Sequence, residues 1–151
     1  MMKNTLTVEE TITINATPAK VWEVLTSPEY TKQYMVGCAA ESDWKAGSPL
    51  LWKLEHEGKE IVCVKGDIVQ SDPAKYLEYT VIAPGMEGVP DIPANYLTVK
   101  YTLTPENGQT VLSVWQGDFA KVAMGDVRYQ HTVSDGGWMD TLTKIKVAAE
   151  N

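Results

Sequence analysis

Residues 136–149 constrain the fold more than any other stretch, because they form the long amphipathic helix that the sequence predicts. The apolar side chains of this stretch follow the spacing i, i+4, i+7 and i+11, which places them on one helical face: Trp138, Leu142, Ile145 and Ala149. Most of the preceding sequence alternates between apolar and polar residues, which is typical of β-strands. A single long helix after many strands predicts a helix held against a curved sheet.

The chain before this helix begins with a strand and two short helices. Apolar residues of one parity from Leu6 to Ile14 predict the first strand, with Glu10 on its apolar side. Thr17-Pro18 and Ser27-Pro28 each place a capping residue before a proline, which predicts two short helices. About six strands follow from Ala39, with a bulge or bend at Gly66. The order predicts an α+β fold and a single domain over residues 1–151.

Charge and hydropathy narrow the class of partner. The formal net charge of −7 disfavours nucleic acid and anionic membranes, since both bind basic surfaces. No apolar run approaches the roughly 18 residues of a membrane span, and residues 1–6 lack the apolar core of a signal peptide. We therefore expect a cytoplasmic protein with no nucleic-acid or membrane partner.

Thiol and imidazole groups are few. Cys38 and Cys63 are far apart in sequence and form no C-x-x-C motif, so we expect free thiols. The two histidines, His56 and His131, do not stand at zinc-ligand spacing. The sequence therefore predicts neither a metal site nor a cofactor.

Residues 83–95 are too rich in proline and glycine to join a β-ladder and predict a surface loop. The loop carries Met86, Val89 and Ile92, which favours a lid that gates a cavity mouth. The alternative is a long hairpin connection packed permanently on its own strands. The later segment from Gly117 to Thr132 is a connector to which the pattern assigns no element.

The order of elements and several short stretches resemble the helix-grip superfamily, which includes START-like lipid-transfer domains, pollen allergens and polyketide cyclases. Within it, the sequence is similar to the branch named after the ATPase activator of the ninety-kilodalton heat-shock chaperone. The similarity covers nearly the whole chain and is carried by residues 16–22, 42–49, 66–69, 72–73 and 76–80, and by Gly137-Trp138 with Leu142, Ile145 and Lys146.

The resemblance implies a strongly bent antiparallel sheet of about seven strands that grips the C-terminal helix, with a cavity between them. It does not imply one activity, because the same frame serves transport, binding, cyclisation and chaperone regulation. We expect this chain to bind a small, largely apolar ligand in that cavity. The candidate lining residues are Trp52, Leu54, His56, Tyr79, Met86, Tyr101, Gln116, Trp138 and Leu142.

Two alternatives remain open. A polyketide-cyclase-like enzyme needs polar groups that converge on the cavity, and the candidates are Glu10, His56, Tyr79, Tyr101 and Gln116. Histidine is the side chain most suited to acid–base chemistry near neutral pH, yet the place of His56 at the end of a strand favours a rim position over a buried base. Chaperone regulation is the third possibility. The eukaryotic activator has a further large N-terminal domain that these residues do not include, so we rank ligand binding first.

Overall fold

The computed structural model describes residues 5–35 and 37–151. The stretch without signal-peptide character therefore lies mostly outside the described residues. The elements are β1 Val8–Ile14, α1 Pro18–Thr26, α2 Pro28–Tyr34, β2 Ala39–Glu41, β3 Pro49–His56, β4 Lys59–Asp72, β5 Tyr76–Val81, β6 Leu97–Glu106, β7 Gln109–Gly117, α3 Gly125–Val133 and α4 Gly137–Glu150, with short 3-10 turns at Pro93–Asn95, Phe119–Lys121 and Ser134–Gly136.

The strands form one antiparallel sheet in the order β1-β7-β6-β5-β4-β3-β2. The first strand, β1, forms one edge of the sheet and pairs with the last strand, β7, so that Ile12 lies opposite Leu112. The helix α4 packs against β1, α1 and α2. The predicted α+β class, the sheet of about seven strands and the two short helices after β1 are all confirmed.

The sheet turns along β4, which pairs with β3 through its first half and with β5 through its second. Register shifts lie opposite Trp52/Lys53 and between Ile68 and Gln70. Gly66 lies between the two shifts, and a Cβ there would come 1.6 Å from the carbonyl oxygen of Thr80. Glycine therefore permits the close approach of β5 at this bend, as the sequence predicted.

Both short helices begin at the predicted prolines, but only the first has the predicted side-chain cap. The side chain of Thr17 accepts a hydrogen bond from the Lys20 amide over 3.2 Å, and Pro18 occupies the first turn. Ser27 makes no side-chain cap, so α2 depends on its proline and on tertiary contacts. One such contact is the hydrogen bond from the Ala40 amide to Thr31 Oγ1, 2.8 Å long, which joins α2 to β2.

The final helix buries the predicted face, with Leu142 and Ile145 fully enclosed. Its start is set by Gly136 and Gly137, which adopt φ values of 90° and 53°. A Cβ on Gly137 would lie 2.7 Å from the Thr132 carbonyl oxygen. The glycine pair therefore breaks the helical path, and α4 does not continue upstream as one helix.

The connector between Gly117 and Thr132 contains α3, which the sequence pattern did not reveal. Arg128 is the buried residue of this helix, so α3 has no apolar stripe from which it could be predicted. Phe119 and Tyr129 pack edge to face with ring centroids 5.5 Å apart and hold α3 on the preceding 3-10 turn. None of the helices that the structure describes is both long and apolar enough to cross a membrane.

Candidate functional site

Four aromatic side chains form a continuous row between the sheet and α4. Trp52 on β3 lies 6.4 Å from Tyr79 on β5, measured between ring centroids. Tyr79 lies 6.3 Å from Tyr101 on β6, and Tyr101 lies 5.8 Å from Trp138 on α4 in an edge-to-face arrangement. All four rings are buried. The row therefore fills much of the space between the sheet and the helix with packed core.

Three neighbouring pockets share lining residues, and two of them are lined by a ring of this row. The polar pocket, about 240 Å³, is lined by Met35, Gln116, His131, Thr132, Ser134, Gly137, Trp138, Asp140 and Thr141. The central pocket, about 230 Å³, is lined by Val64, Val81, Ile82, Ala83, Met86, Leu97, Gln116, Arg128, His131 and Thr132. The apolar pocket, about 190 Å³, is lined by Met35, Cys38, Trp52 and Val64. Because Gln116, Val64 and Met35 each line two of these pockets, the three pockets are neighbours.

The apolar walls of this region come from β4, β5 and the loop that follows β5. Val64 is half-buried and faces both the central and the apolar pocket. Ile82 is buried and pairs with Lys65 across an isolated bridge, which brings the start of the loop to β4. Met86 then lies over the central pocket and is half-buried. These groups offer an apolar ligand a surface with few competing polar atoms.

The polar edge is organised by Gln116 on β7. Its Oε1 accepts a hydrogen bond of 2.7 Å from Trp138 Nε1, and both side chains are buried. This bond fixes the amide at the boundary of the polar and central pockets. His131 is exposed on α3 and lines both pockets. Asp140 lies in the polar pocket, where Lys144 pairs with it at 3.2 Å.

Arg128 lies in the wall of the central pocket and is 8% exposed. Its Nη1 donates to the carbonyl oxygen of Asn95 over 2.8 Å and to that of Ala123 over 3.4 Å. Asn95 is itself buried and accepts from the Ala123 amide through Oδ1 over 3.0 Å. This network joins the end of the loop to the start of α3. Burial lowers the pKa of the Arg128 guanidinium, because desolvation penalises its charged form.

The apolar pocket contains a thiol, that of Cys38. Burial raises the pKa of Cys38 to about 12, and a hydrogen bond to Cys63 adds to the increase. The thiol is therefore protonated at neutral pH and presents an apolar surface to the pocket. Among the described residues, no three His, Cys, Asp or Glu side chains come together to hold a metal ion.

The predicted lining residues divide into three groups. Trp52, Met86, Gln116 and Trp138 line the pockets. Tyr79, Tyr101 and Leu142 belong to the buried core beside them. Leu54 and His56 lie elsewhere on β3: Leu54 is half-buried with its Cδ1 near Gly37, and His56 is exposed.

The inward orientation expected for His56 is not observed. All residues from 55 to 62 are exposed, so the β3–β4 hairpin lies in water and His56 with it. His56 therefore lies neither in the buried core nor in the lining of the three pockets. Glu10 is half-buried on β1 at the opposite edge of the sheet, across from Val114. The five polar candidates for catalysis therefore do not meet at one point.

Several residues that line the pockets were not predicted from the sequence. Met35 follows α2, and Arg128 and His131 lie on the helix that was not predicted. Val64 was assigned to a strand, but its position at a register shift, opposite Trp52, was not foreseen. The one available signal was Arg128, the chain's only arginine, in an otherwise acidic protein.

A bent sheet wrapped around a C-terminal helix, with two short helices after the first strand, defines a helix-grip protein. A family model described as "Activator of Hsp90 ATPase homolog 1-like protein" matches residues 15–150, and the chain belongs to this family. No curated protein sequence matches significantly.

Solved structures show the same fold. The solution structure of a protein from Cytophaga hutchinsonii is 34% identical, with a TM-score of 0.73 over 96% of this chain and 94% of that one. The Aha1 dimer from Colwellia psychrerythraea is 16% identical, with a TM-score of 0.67 over 96% of each chain. An HSP90 activator from Plasmodium falciparum is 14% identical, with a TM-score of 0.65 over 94% of each. The last two likenesses concern the fold alone.

Proposed function

We propose that this protein binds a small, largely apolar molecule in the three neighbouring pockets. The observation that supports the proposal is the continuous apolar wall from Cys38 through Val64 to Leu97, bordered by the fixed amide of Gln116. Binding sites for small molecules combine an apolar lining with a few placed polar groups in this way. The aromatic row occupies much of the space between the sheet and α4, and of the three pockets only the polar one is lined by residues of that helix, at its N-terminal end.

The pocket volumes limit the pose of the ligand. The individual volumes run from about 190 to about 240 Å³, below the roughly 300–1,000 Å³ typical of ligand pockets. A bound molecule therefore spans at least two of them. Val64 lines both the central and the apolar pocket, and at this junction we place the apolar body of the ligand.

Native mass spectrometry of freshly purified protein tests whether a small molecule is retained. A neutral reporter, N-phenyl-1-naphthylamine, whose fluorescence rises in apolar surroundings, then tests the location. Val64→Trp fills the junction and should weaken reporter binding about tenfold or more, since it removes the space that the apolar body occupies. Val69→Trp is the matched control, because Val69 lies on the same strand and is 46% exposed.

Two results would contradict the proposal. A folded protein that neither retains a small molecule nor binds the reporter does not have this function. Equal binding by wild type, Val64→Trp and Val69→Trp would show that the reporter lies elsewhere on the surface.

Chaperone regulation is a second candidate, which family membership favours. Its test is the ATPase rate of the chaperone partner from the same cell, with and without this protein. Stimulation that saturates at a stoichiometric ratio would support it, and an unchanged rate together with no complex in gel filtration would contradict it. The two functions are separable, because the Val64→Trp variant should lose reporter binding without changing an exposed contact surface.

A further inference from the structure

We infer that the bound molecule carries a carboxylate and that Arg128 binds it. This inference rests on the proposed function and specifies the chemical class of the ligand: a monocarboxylic acid with an apolar body. The carboxylate would lie in the central pocket beside Arg128, and the body would extend past Val64 toward Trp52.

The first support is the charge balance of Arg128. Arg128 is 8% exposed as a residue, and only its Nη1 donates to acceptors among the described residues, both of them neutral backbone carbonyls. None of the ion pairs formed by the described residues includes Arg128. A buried charge without a counter-charge is unfavourable and is normally paired. The chain has a net charge of −7, so the missing carboxylate is not due to a shortage of acidic residues.

The second support is chemical. A neutral donor could satisfy the carbonyl oxygens of Asn95 and Ala123, so holding the loop does not require a cation. Arginine differs from such a donor by its permanent charge and by a planar fork of five N–H groups that matches a carboxylate with two parallel hydrogen bonds. The donors at Nε and Nη2 make no hydrogen bond to the described residues and remain available for such a ligand.

The third support is the position of Arg128 among its neighbours. It lines the central pocket together with Gln116 on β7 and His131 on α3. Val81 and Val64 line the same pocket from β5 and β4, two and three strands away from β7 in the sheet, so polar and apolar groups enter it from different elements. Asp140, which would repel an anion, lies in the polar pocket and is paired with Lys144 at 3.2 Å. An amphipathic acid fits this arrangement in one orientation.

The experiment compares two displacers that differ in the head group. Decanoate and decan-1-ol are titrated against protein carrying N-phenyl-1-naphthylamine at pH 8, where decanoate is ionised. We expect decanoate to displace the reporter from the wild-type protein at about tenfold lower concentration, the gain typical of a hydrogen bond to a charged group. In Arg128→Gln the difference between the two displacers should vanish. The concentration of decan-1-ol needed for displacement should stay within about twofold of the wild-type value.

Two further variants separate charge from structure. Arg128→Lys keeps the charge and should keep a preference for decanoate, although a reduced one, because lysine cannot form the two-pronged contact. Lys121→Gln removes a charge from the neighbouring exposed turn and should leave the preference unchanged. Thermal melts followed by circular dichroism show whether each variant is folded.

The possible results are distinct. Equal displacement of a bound reporter by decanoate and decan-1-ol in the wild type overturns the inference and leaves the proposed function standing. No reporter binding at all overturns both. A preference for decanoate that persists in folded Arg128→Gln assigns the carboxylate to another group and also overturns the inference. If Arg128→Gln does not fold, the wild-type ratio and the Arg128→Lys variant decide the question.

Discussion

The thiol of Cys38 donates a hydrogen bond to Cys63 Sγ over 2.9 Å, although the two residues are 25 positions apart in sequence. Cys38 lies between α2 and β2, and Cys63 is the extra residue at the first register shift of β4. The pair therefore joins the helical layer to the bend of the sheet at the edge of the apolar pocket.

The raised pKa of Cys38 predicts slow alkylation. Since the reactive species is the thiolate, a pKa of about 12 leaves very little of it at pH 8. Iodoacetamide should modify native Cys38 at least about tenfold more slowly than the same residue in guanidinium-unfolded chain, even after the higher nucleophilicity of a high-pKa thiolate is allowed for. The rate should rise as pH approaches the pKa. Peptide mapping by mass spectrometry measures it.

Cys63→Ala provides the control for this prediction. Desolvation is the larger cause of the raised pKa and the hydrogen bond to Cys63 is the smaller one. Alkylation of Cys38 in this variant should therefore remain slower than in the unfolded chain. Equal rates for native and unfolded wild-type protein would show that the thiol is not shielded as the structure has it.

The apolar face of α4 predicts that alanine substitutions at two positions of this helix differ in their effect on the free energy of unfolding. Leu142 is 0% exposed and Val147 is 57% exposed on the same helix. Leu142→Ala should lower the free energy of unfolding by about 2–5 kcal/mol, because it removes buried methyl groups and leaves a cavity. Val147→Ala should change it by less than about 0.5 kcal/mol. Chemical denaturation measures both, and similar midpoints for the two variants would contradict the packing of α4 against the sheet.

Removal of two buried tyrosine hydroxyls should have different effects on the stability of the protein. Tyr34 Oη donates to the Leu25 carbonyl oxygen over 3.3 Å, whereas Tyr101 Oη makes no hydrogen bond to the residues that the structure describes. Desolvation is the main cause that raises the pKa of Tyr101, and the nearby Tyr79 adds to the increase. Tyr34→Phe should cost about 0.5–1.5 kcal/mol, and Tyr101→Phe should be neutral or stabilising.

Urea denaturation of the two phenylalanine variants decides this prediction. Each removes one oxygen atom from a fully buried ring, so differences in cavity volume are small. A clear loss of stability in Tyr101→Phe would mean that its hydroxyl has a partner in solution, such as a bound water molecule.

The loop over residues 83–95 predicts a local change in amide exchange on ligand binding. Met86 lines the central pocket, Val89 is already buried and Ile92 is 48% exposed. The end of the loop is held to α3 through Asn95 and Arg128. We therefore narrow the expected gate to residues 83–88, whose amides should exchange more slowly when N-phenyl-1-naphthylamine is bound.

The amide of Asn95 serves as the internal reference for that experiment, because it is hydrogen-bonded to the Ile92 carbonyl oxygen without ligand. Its exchange should not change. Unchanged exchange at residues 83–88 in protein shown to be saturated with the reporter would favour the alternative of a permanently packed connection.

The elements that could be predicted from the sequence are those in which apolar side chains recur with the periodicity of a helix or of a strand. The alternation in β1, the Thr17-Pro18 signal and the face of α4 around Leu142 each reflect local geometry and burial on one side. The helix α3 lacks such a repeat, since its buried residue is the polar Arg128, and it was not predicted. The exposure of His56 was uncertain for a related reason, because a strand's parity does not show where the core ends.

The candidate site depends on contacts between residues far apart in the chain. Gln116 meets Trp138 and Cys38 meets Cys63 only because the sheet bends along β4 and α4 starts anew at Gly137. The order of strands and helices follows from local propensity and apolar periodicity, which act over a few residues. The pockets, the packed aromatic row and the burial of Arg128 follow from how these elements pack, because burial is a property of the whole assembled chain.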